Sequence, residues 1–285
     1  MKEIALKIGS PTPLTAIVNT PKQLDPNKPA VLILNSGVMH HVGSCRLSVK
    51  LARQLAASNI LSLRFDFSGI GDSENRSGTQ SFHETSIAEI TEVMDYLEKK
   101  RGIKKFIVYG LCSGADASYD IALVDQRVIA MVQIDPYCYR TWKWYVRHYG
   151  PKLLKLQTWV NYVSRRINKT KQPLGFSKTI DKDNLEIASY AREFPKREEV
   201  ASGMKALVAR NISMYSIITG GQSEIINHSS QFKESFSDVD FSNLLTVEYY
   251  SKLDHIITHP EYQRIHINKL CVSVIKDIVT NEKNA

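Results

Sequence analysis

Residues 106–115 read FIVYGLCSGA, an apolar run that passes directly into Gly110-Leu111-Cys112-Ser113-Gly114. A cysteine with glycine two residues away on either side suits a sharp strand-to-helix turn. Such a turn holds its central side chain out at the top of a sheet, and the glycines leave room for strand and helix to pack closely. A thiol presented in this way is a nucleophile toward acyl carbon. Five-residue glycine patterns arise by chance, so the weight comes from context: a β-branched strand in front and an alanine-containing helix start behind. The same geometry excludes Ser113 as the nucleophile, because only the central residue projects.

A turn of this kind needs a sheet beneath it, and the chain supplies one in pattern. Short β-rich runs at Val31–Leu34, Ile60–Asp66, Lys105–Tyr109, Val128–Asp135, Met214–Thr219 and Leu244–Tyr250 alternate with segments of helical periodicity. Arg46–Ala57 and Phe82–Lys100 have apolar residues at three- and four-residue spacing, the second with Thr79 or Ser81 as its cap, and a last helix runs from Tyr262 to Val279. This alternation predicts an α/β fold with a mostly parallel sheet and helices on both faces. One interval breaks it. Residues 137–210 separate two strands by far more than one crossover helix needs, which predicts a helical cap inserted into a core made of residues 1–136 and 211–285.

Composition narrows the function classes. At 285 residues and 43% apolar, the chain can bury one large core. No stretch approaches the roughly 20 apolar residues of a membrane span. The start, MKEIALKIGSPTP, lacks the apolar run of a signal peptide. Cysteines 45, 112, 138 and 271 lie far apart with no metal-type spacing, so free thiols in a reducing cytoplasm are expected. The formal charge of +8 is local: residues 137–210 hold 16 Lys and Arg against 6 Asp and Glu. Within them, Tyr137 to Tyr149 interleaves aromatics with cations. Such a stretch can stack bases, but an amphipathic cap helix over a pocket explains it as well, and nucleic acid is of no obvious use to a thiol at a turn. Gly69-Ile70-Gly71 lacks the third glycine and the acidic partner of a dinucleotide fingerprint, and no Walker motif is present, so no cofactor is expected.

Taken together, the elbow after the third strand and the acidic and histidine residues after later strands resemble the α/β-hydrolase family, in nearly everything from Val31 onward. More narrowly, LNSGVMHHVGSCRL, RFDFSGIGDSE and GLCSGA resemble hydrolases found beside exosortase systems. The cysteine is similar to that of dienelactone hydrolases and of aminoacyltransferases that work on carrier proteins. The resemblance implies a triad. Its nucleophile is Cys112. Its base is His255, in the loop after the last strand, with His259 the weaker competitor. Its acid is Glu224 in the turn Gly220-Gly221-Gln222-Ser223-Glu224, although counting from Gly220 puts Ser223 at the usual place. Asp135, at the end of an earlier strand, is the alternative acid, and a Cys–His dyad without an acid remains open.

The resemblance further implies an oxyanion hole from the N–H groups of Val38 and Ser113. Gly37 lets that loop turn, while Met39, His40 and Tyr137 line the substrate pocket, with His41 beside them. Metal binding by His40 and His41 is not expected, since adjacent histidines point apart. The expected activity is acyl transfer through an acyl-Cys112 intermediate, from a thioester or activated ester. An acidic acyl carrier protein docking on the basic cap is a candidate partner. A small-molecule ester or lactone hydrolase and a non-catalytic binding protein are the alternatives.

Overall fold

The computed structural model describes residues 1–76, 81–153, 192, 194–222, 224–271, 275 and 278. Eight strands are present among them: β1 (Lys2–Ile8), β2 (Leu14–Thr20), β3 (Ala30–Ile33), β4 (Ser62–Phe65), β5 (Phe106–Leu111), β6 (Val128–Ile134), β7 (Ser213–Thr219) and β8 (Leu245–Tyr250). The helices are α1 (Leu47–Ala57), α2 (Phe82–Arg101), α3 (Ser113–Val124), α4 (Trp142–Leu153), α5 (Arg197–Ala209), α6 (Gln231–Ser235) and α7 (Pro260–Lys269). One sheet takes the order β1-β2-β4-β3-β5-β6-β7-β8. The strands from β4 to β8 in that order are parallel, and β1 and β2 add an antiparallel edge.

Alternation along each central strand divides the core into two layers. Leu32, Leu63, Phe106 and Val108 face one side, where α2, α3 and α5 contribute Ile90, Met94, Ile121 and Met204. Val31, Ile33, Ile107 and Tyr109 face the other, against Leu51 and Leu55 of α1 and Ile267 of α7. This is the two-faced burial that parallel strands require, and it explains why these strands read as continuous apolar runs. Helix α2 starts where its sequence says it must. Ser81 accepts from the Glu84 N–H, and the Glu84 side chain returns to the Ser81 N–H, a reciprocal capping box. Thr79, the other expected cap, lies outside the described residues.

Two expectations change. The N-terminal hairpin β1–β2 is not among the expected strands, although KEIALKI alternates with period two. The expected cap also runs too far toward its C-terminal end: α5, inside the interval 137–210, buries Val200, Ala201, Met204 and Leu207 in the main core, where it is the crossover helix leading into β7. Residues 154–191 of the insertion lie outside the described residues. Among the described residues, no helix is long and apolar enough to cross a membrane.

Backbone meets backbone beneath the elbow. A Cβ on Gly110 would meet the Gly114 carbonyl oxygen at 2.0 Å, and one on Gly114 would meet the Asn35 carbonyl oxygen at 2.4 Å. Backbone cannot yield as a flexible side chain can. Gly110→Ala is therefore expected to cost about 3 kcal/mol in urea unfolding, the upper end of overpacking penalties. Gly150→Ala, with nothing within 4 Å, should be neutral or slightly stabilising in the same measurement.

Candidate active site

Cys112 sits between β5 and α3 with φ 56° and ψ −119°, a conformation that a residue with a side chain rarely adopts. Strain of this kind costs on the order of 1–3 kcal/mol and persists only where the surroundings enforce it. Here the Cys112 N–H donates to the Ile134 carbonyl (2.9 Å) and its own carbonyl accepts from Ala115 (2.9 Å) and Asp116 (3.1 Å). The residue thus ends a strand and opens a helix at once. Its thiol lies at the N-terminus of α3, where the helix dipole and unpaired N–H groups favour negative charge.

The structure brings His255 to this thiol and gives the imidazole a carboxylate, and that carboxylate is Asp135. His255 Nδ1 lies 2.6 Å from Asp135 Oδ2. Asp135 follows β6, is fully buried, and also accepts from the Thr219 N–H and hydroxyl, both at 2.7 Å. With Nδ1 committed to Asp135, Nε2 is the nitrogen left for the thiol. Glu224, the favoured acid, is a correction: it is exposed, and its contribution is a backbone carbonyl that accepts from Arg140 Nε (2.8 Å). The physical reason lies in the two glycines before it. A Cβ on Gly220 would meet the Ser251 carbonyl oxygen at 2.0 Å, and one on Gly221 the His255 backbone nitrogen at 2.4 Å. This turn is packed backbone to backbone beneath the histidine loop, and the chain then carries Glu224 outward. Ser223 lies outside the described residues. His259 is exposed, occupies the N-cap position of α7 without a side-chain cap bond, and packs near Tyr262.

Electrostatics follow from these contacts. Burial alone would raise the Cys112 thiol, but the hydrogen bond to His255 and the positive charge of Arg192 outweigh it and hold the thiol below its ordinary value. His255 is pushed up to about 9, chiefly by its bond to Asp135 and then by the thiol. Both shifts favour a thiolate beside an imidazolium. Cys138 and Cys271 are buried and pushed up to about 12 by desolvation, so they are poor nucleophiles.

The loop after β3 lies alongside. Gly37 has φ 51°, and its N–H donates to Ser113 Oγ at 2.7 Å, tying the loop to the first turn of α3. Among the described hydrogen bonds, none takes the N–H of Val38 or Ser113. Val38 is 67% exposed. Gly37, Ser113 and Tyr137 line a cavity of about 650 Å³ with Ser81, Phe82, His83, Asp116, Asp120, Arg192 and Phe194. Met39 and His40 are not among its walls: Met39 packs against the second core layer, and His40 is paired with Asp72 at 2.9 Å.

The expectation that His40 and His41 diverge is overturned. Their rings lie 3.8 Å apart, and with Asp66 and Asp72 they place four ligand-type atoms within 4.8 Å of one another. The cause is Asp66. Its buried carboxylate accepts from the His41 N–H (2.6 Å), His41 Nδ1 (2.6 Å), Asn35 Nδ2 (2.9 Å) and the Asp72 N–H (3.0 Å). A carboxylate with four N–H donors is already saturated, so the cluster reads as a hydrogen-bonded knot joining the β3 and β4 loops. Gly71, with φ 55°, is required there because a Cβ would meet Asp66 Oδ2 at 2.4 Å.

Two residues escape sequence reasoning. Arg192, from the insertion, donates from Nε and Nη2 to the two oxygens of Asp116, each at 2.6 Å, and from Nη2 to the Asp135 carbonyl at 3.0 Å. Asp116 carries a faint local signal, a polar residue at a buried position in the first turn of α3. Arg192 carries none, lying among many cations.

Comparison with known proteins agrees with this architecture. The family described as "Serine aminopeptidase, S33" (Hydrolase_4) matches residues 26–203, more than half of the chain. The chain belongs to this α/β-hydrolase family. Its elbow nevertheless centres on cysteine where the description names serine. Among solved structures, Est1E from Butyrivibrio proteoclasticus, solved with ferulic acid bound, is 16% identical over 96% of this chain and 99% of its own, with TM-score 0.58. The Pyrococcus furiosus esterase Pf2001 is 14% identical, covering 98% and 90%, with TM-score 0.58. Carboxylesterase CesB (YbfK) from Bacillus subtilis is 16% identical, covering 96% and 93%, with TM-score 0.55. At such identities the likeness establishes the fold. No curated protein matches the sequence.

Asp135→Asn should lower the rate of Cys112 acylation by about a hundredfold or more, because an amide neither orients the imidazole nor stabilises its charge. Glu224→Gln should change it less than about twofold. Matched pre-steady-state acylation rates decide between the two acids, and a larger loss in Glu224→Gln would return that role to the turn after β7.

Proposed function

We propose that the protein is an ester hydrolase that works through an acyl-Cys112 intermediate, with His255 as general base and acid and Asp135 as the group that orients it. The observation that carries this reading is the chain of contacts from Cys112 at a strained elbow, through His255, to a buried carboxylate 2.6 Å away. The family membership and the esterases among the solved structures of like fold support ester hydrolysis over the expected acyl transfer.

The steps follow from the geometry. The Cys112 sulfur attacks the ester carbonyl carbon, and the carbonyl π pair moves onto oxygen. The thiol proton resides on His255 Nε2. The N–H groups of Val38 and Ser113 receive the oxyanion. Collapse of the tetrahedral species breaks the bond to the alcohol oxygen, which takes the proton from His255 and leaves. Water, deprotonated by His255, then attacks the acyl-Cys112 carbonyl. The acid product departs, and the thiol and imidazole are restored. The cavity of about 650 Å³ suits a small-molecule acyl group or alcohol.

Docking of a carrier protein is not carried into this proposal. Of the cations on α4, Arg147 donates to Glu234 at 2.6 Å and Lys143 lies 3.8 Å from the same carboxylate. Trp144 of α4 is buried, Trp142 is 71% exposed, and among the described residues none from α4 lines the cavity.

The test is turnover of p-nitrophenyl esters of increasing acyl length, with intact-protein mass after rapid acid quench. A single acyl adduct on Cys112 and free carboxylic acid are expected. Cys112→Ala should lose at least about a thousandfold in kcat/KM and form no adduct, while Cys45→Ala and Cys271→Ala keep both. An adduct that forms but passes to amines or thiols in preference to water would make the enzyme an acyltransferase. Full turnover by Cys112→Ala would remove the nucleophile assignment.

A further inference from the structure

Arg192 is the strongest unassigned feature near the thiol. Its side chain is 13% exposed and Asp116's is 9%. Two hydrogen bonds of 2.6 Å join them in a fork that fixes the guanidinium plane, and Nη2 reaches on to the Asp135 carbonyl at 3.0 Å. The rings of Tyr137 and Phe194 flank the guanidinium at 5.4 and 4.7 Å. A buried pair of this kind yields little net stability, since desolvating both charges cancels most of their attraction. Stability alone therefore does not account for it.

We infer that Arg192 is a positioning residue for Cys112 and His255: it ties the insertion to the first turn of α3 and to the backbone of Asp135, and it sets the charge beside the thiol. The inference rests on the reading of Cys112 as the reacting group. Three features of the geometry support it. Asp116 lies one helical turn beyond Cys112, and its N–H donates to the Cys112 carbonyl at 3.1 Å, so holding Asp116 holds the elbow. Asp135 has φ 51°, and a donor on its carbonyl steadies a strained residue whose carboxylate must meet His255. Both members of the pair line the cavity together with Ser113, the residue next to Cys112, although the thiol itself is not one of its walls.

The charged groups acting on the Cys112 thiol are His255, with Asp135 behind it, then Arg192 and Asp116. His255 and Arg192 favour the thiolate, and Asp116 opposes it. This gives the pair opposite signs. Removing the arginine charge should move thiolate formation to higher pH, and removing the aspartate charge should move it to lower pH. A strut that merely stabilised the fold would move neither, or both in the same direction.

The experiment is the pH dependence of Cys112 alkylation by iodoacetamide, read by peptide mass and needing no substrate. Arg192→Met should raise the midpoint by about one unit, the scale of an opposite charge nearby, and Asp116→Asn should lower it. Arg192→Lys, which keeps charge but loses the fork, should leave the midpoint near that of the parent while lowering ester kcat. If Arg192→Met alone fails to fold, the Arg192→Met/Asp116→Asn double variant removes the stranded carboxylate, and its midpoint should fall between those of Arg192→Lys and His255→Gln. Unmoved midpoints, or shifts of one sign in both single variants, overturn the inference. If no acyl adduct forms on Cys112 with any ester while the opposite shifts remain, the proposed function fails and the role of Arg192 at the thiol stands.

Discussion

The site depends on the contact between β5 and α3. Gly110 lets strand and helix meet backbone to backbone, Gly114 lets the helix meet the Asn35 backbone, and Cys112 between them is held in a conformation it would not adopt alone. The strain serves a purpose: the thiol stands clear of both elements, at the dipole-positive end of a helix, within reach of a histidine loop from the far end of the chain. A side chain at Gly110 would part strand from helix, and one at Gly114 would push the first turn of α3 off the Asn35 backbone in the loop after β3. The sheet carries this geometry because its central strands are apolar on both faces and cannot shift register without exposing one of them.

The base and its carboxylate illustrate a second constraint, that of register. Pairing of β6 with β5 and β7 sets Ile134 beside Leu111 and Ile217, so the residue after Ile134 emerges level with the elbow. Asp135 is thus delivered to the site by the end of a strand. Thr219 closes around it with an N–H and a hydroxyl, while one of its oxygens also meets His255. The turn after β7 plays a different part, since its two glycines admit the histidine loop. These donors fix the plane of the carboxylate, and the carboxylate in turn fixes the orientation of the imidazole.

Away from the thiol, Asp66 joins the loops after β3 and β4 by the same logic of a buried carboxylate surrounded by N–H donors. Asn35 ties this knot to residues 37–39 of the loop after β3, since its side chain donates to both Asp66 and the Met39 carbonyl. The histidines that looked like pocket residues are thereby part of the scaffold. The positive charge of the insertion is likewise partly internal: Arg147 is paired with Glu234 and Arg192 with Asp116, so net charge by segment overstates what faces solvent.

Much of this was legible from the chain. The elbow, the parallel strands, the capping box at Ser81 and the histidine after the last strand are local patterns, because each rests on a turn, a period or a cap spanning a few residues. Folding decided what depends on pairing between distant segments. Glu224 was favoured over Asp135 because a turn after a late strand is read from spacing, whereas strand register and the approach of the Gly220-Gly221 backbone to His255 are not. Residues 137–210 looked like one insertion because length alone cannot show that Arg197–Ala209 returns to the core. Arg192 had no local signature at all; its role arises only when the chain places it over Asp116, 76 residues away in sequence. Sequence by itself thus determined where the residues of the proposed chemistry, Cys112 and His255, stand, because a strained turn must be written into adjacent residues. Only the tertiary structure decided which carboxylate and which cation stand beside them, because buried charges find their partners across the sheet and not along the chain.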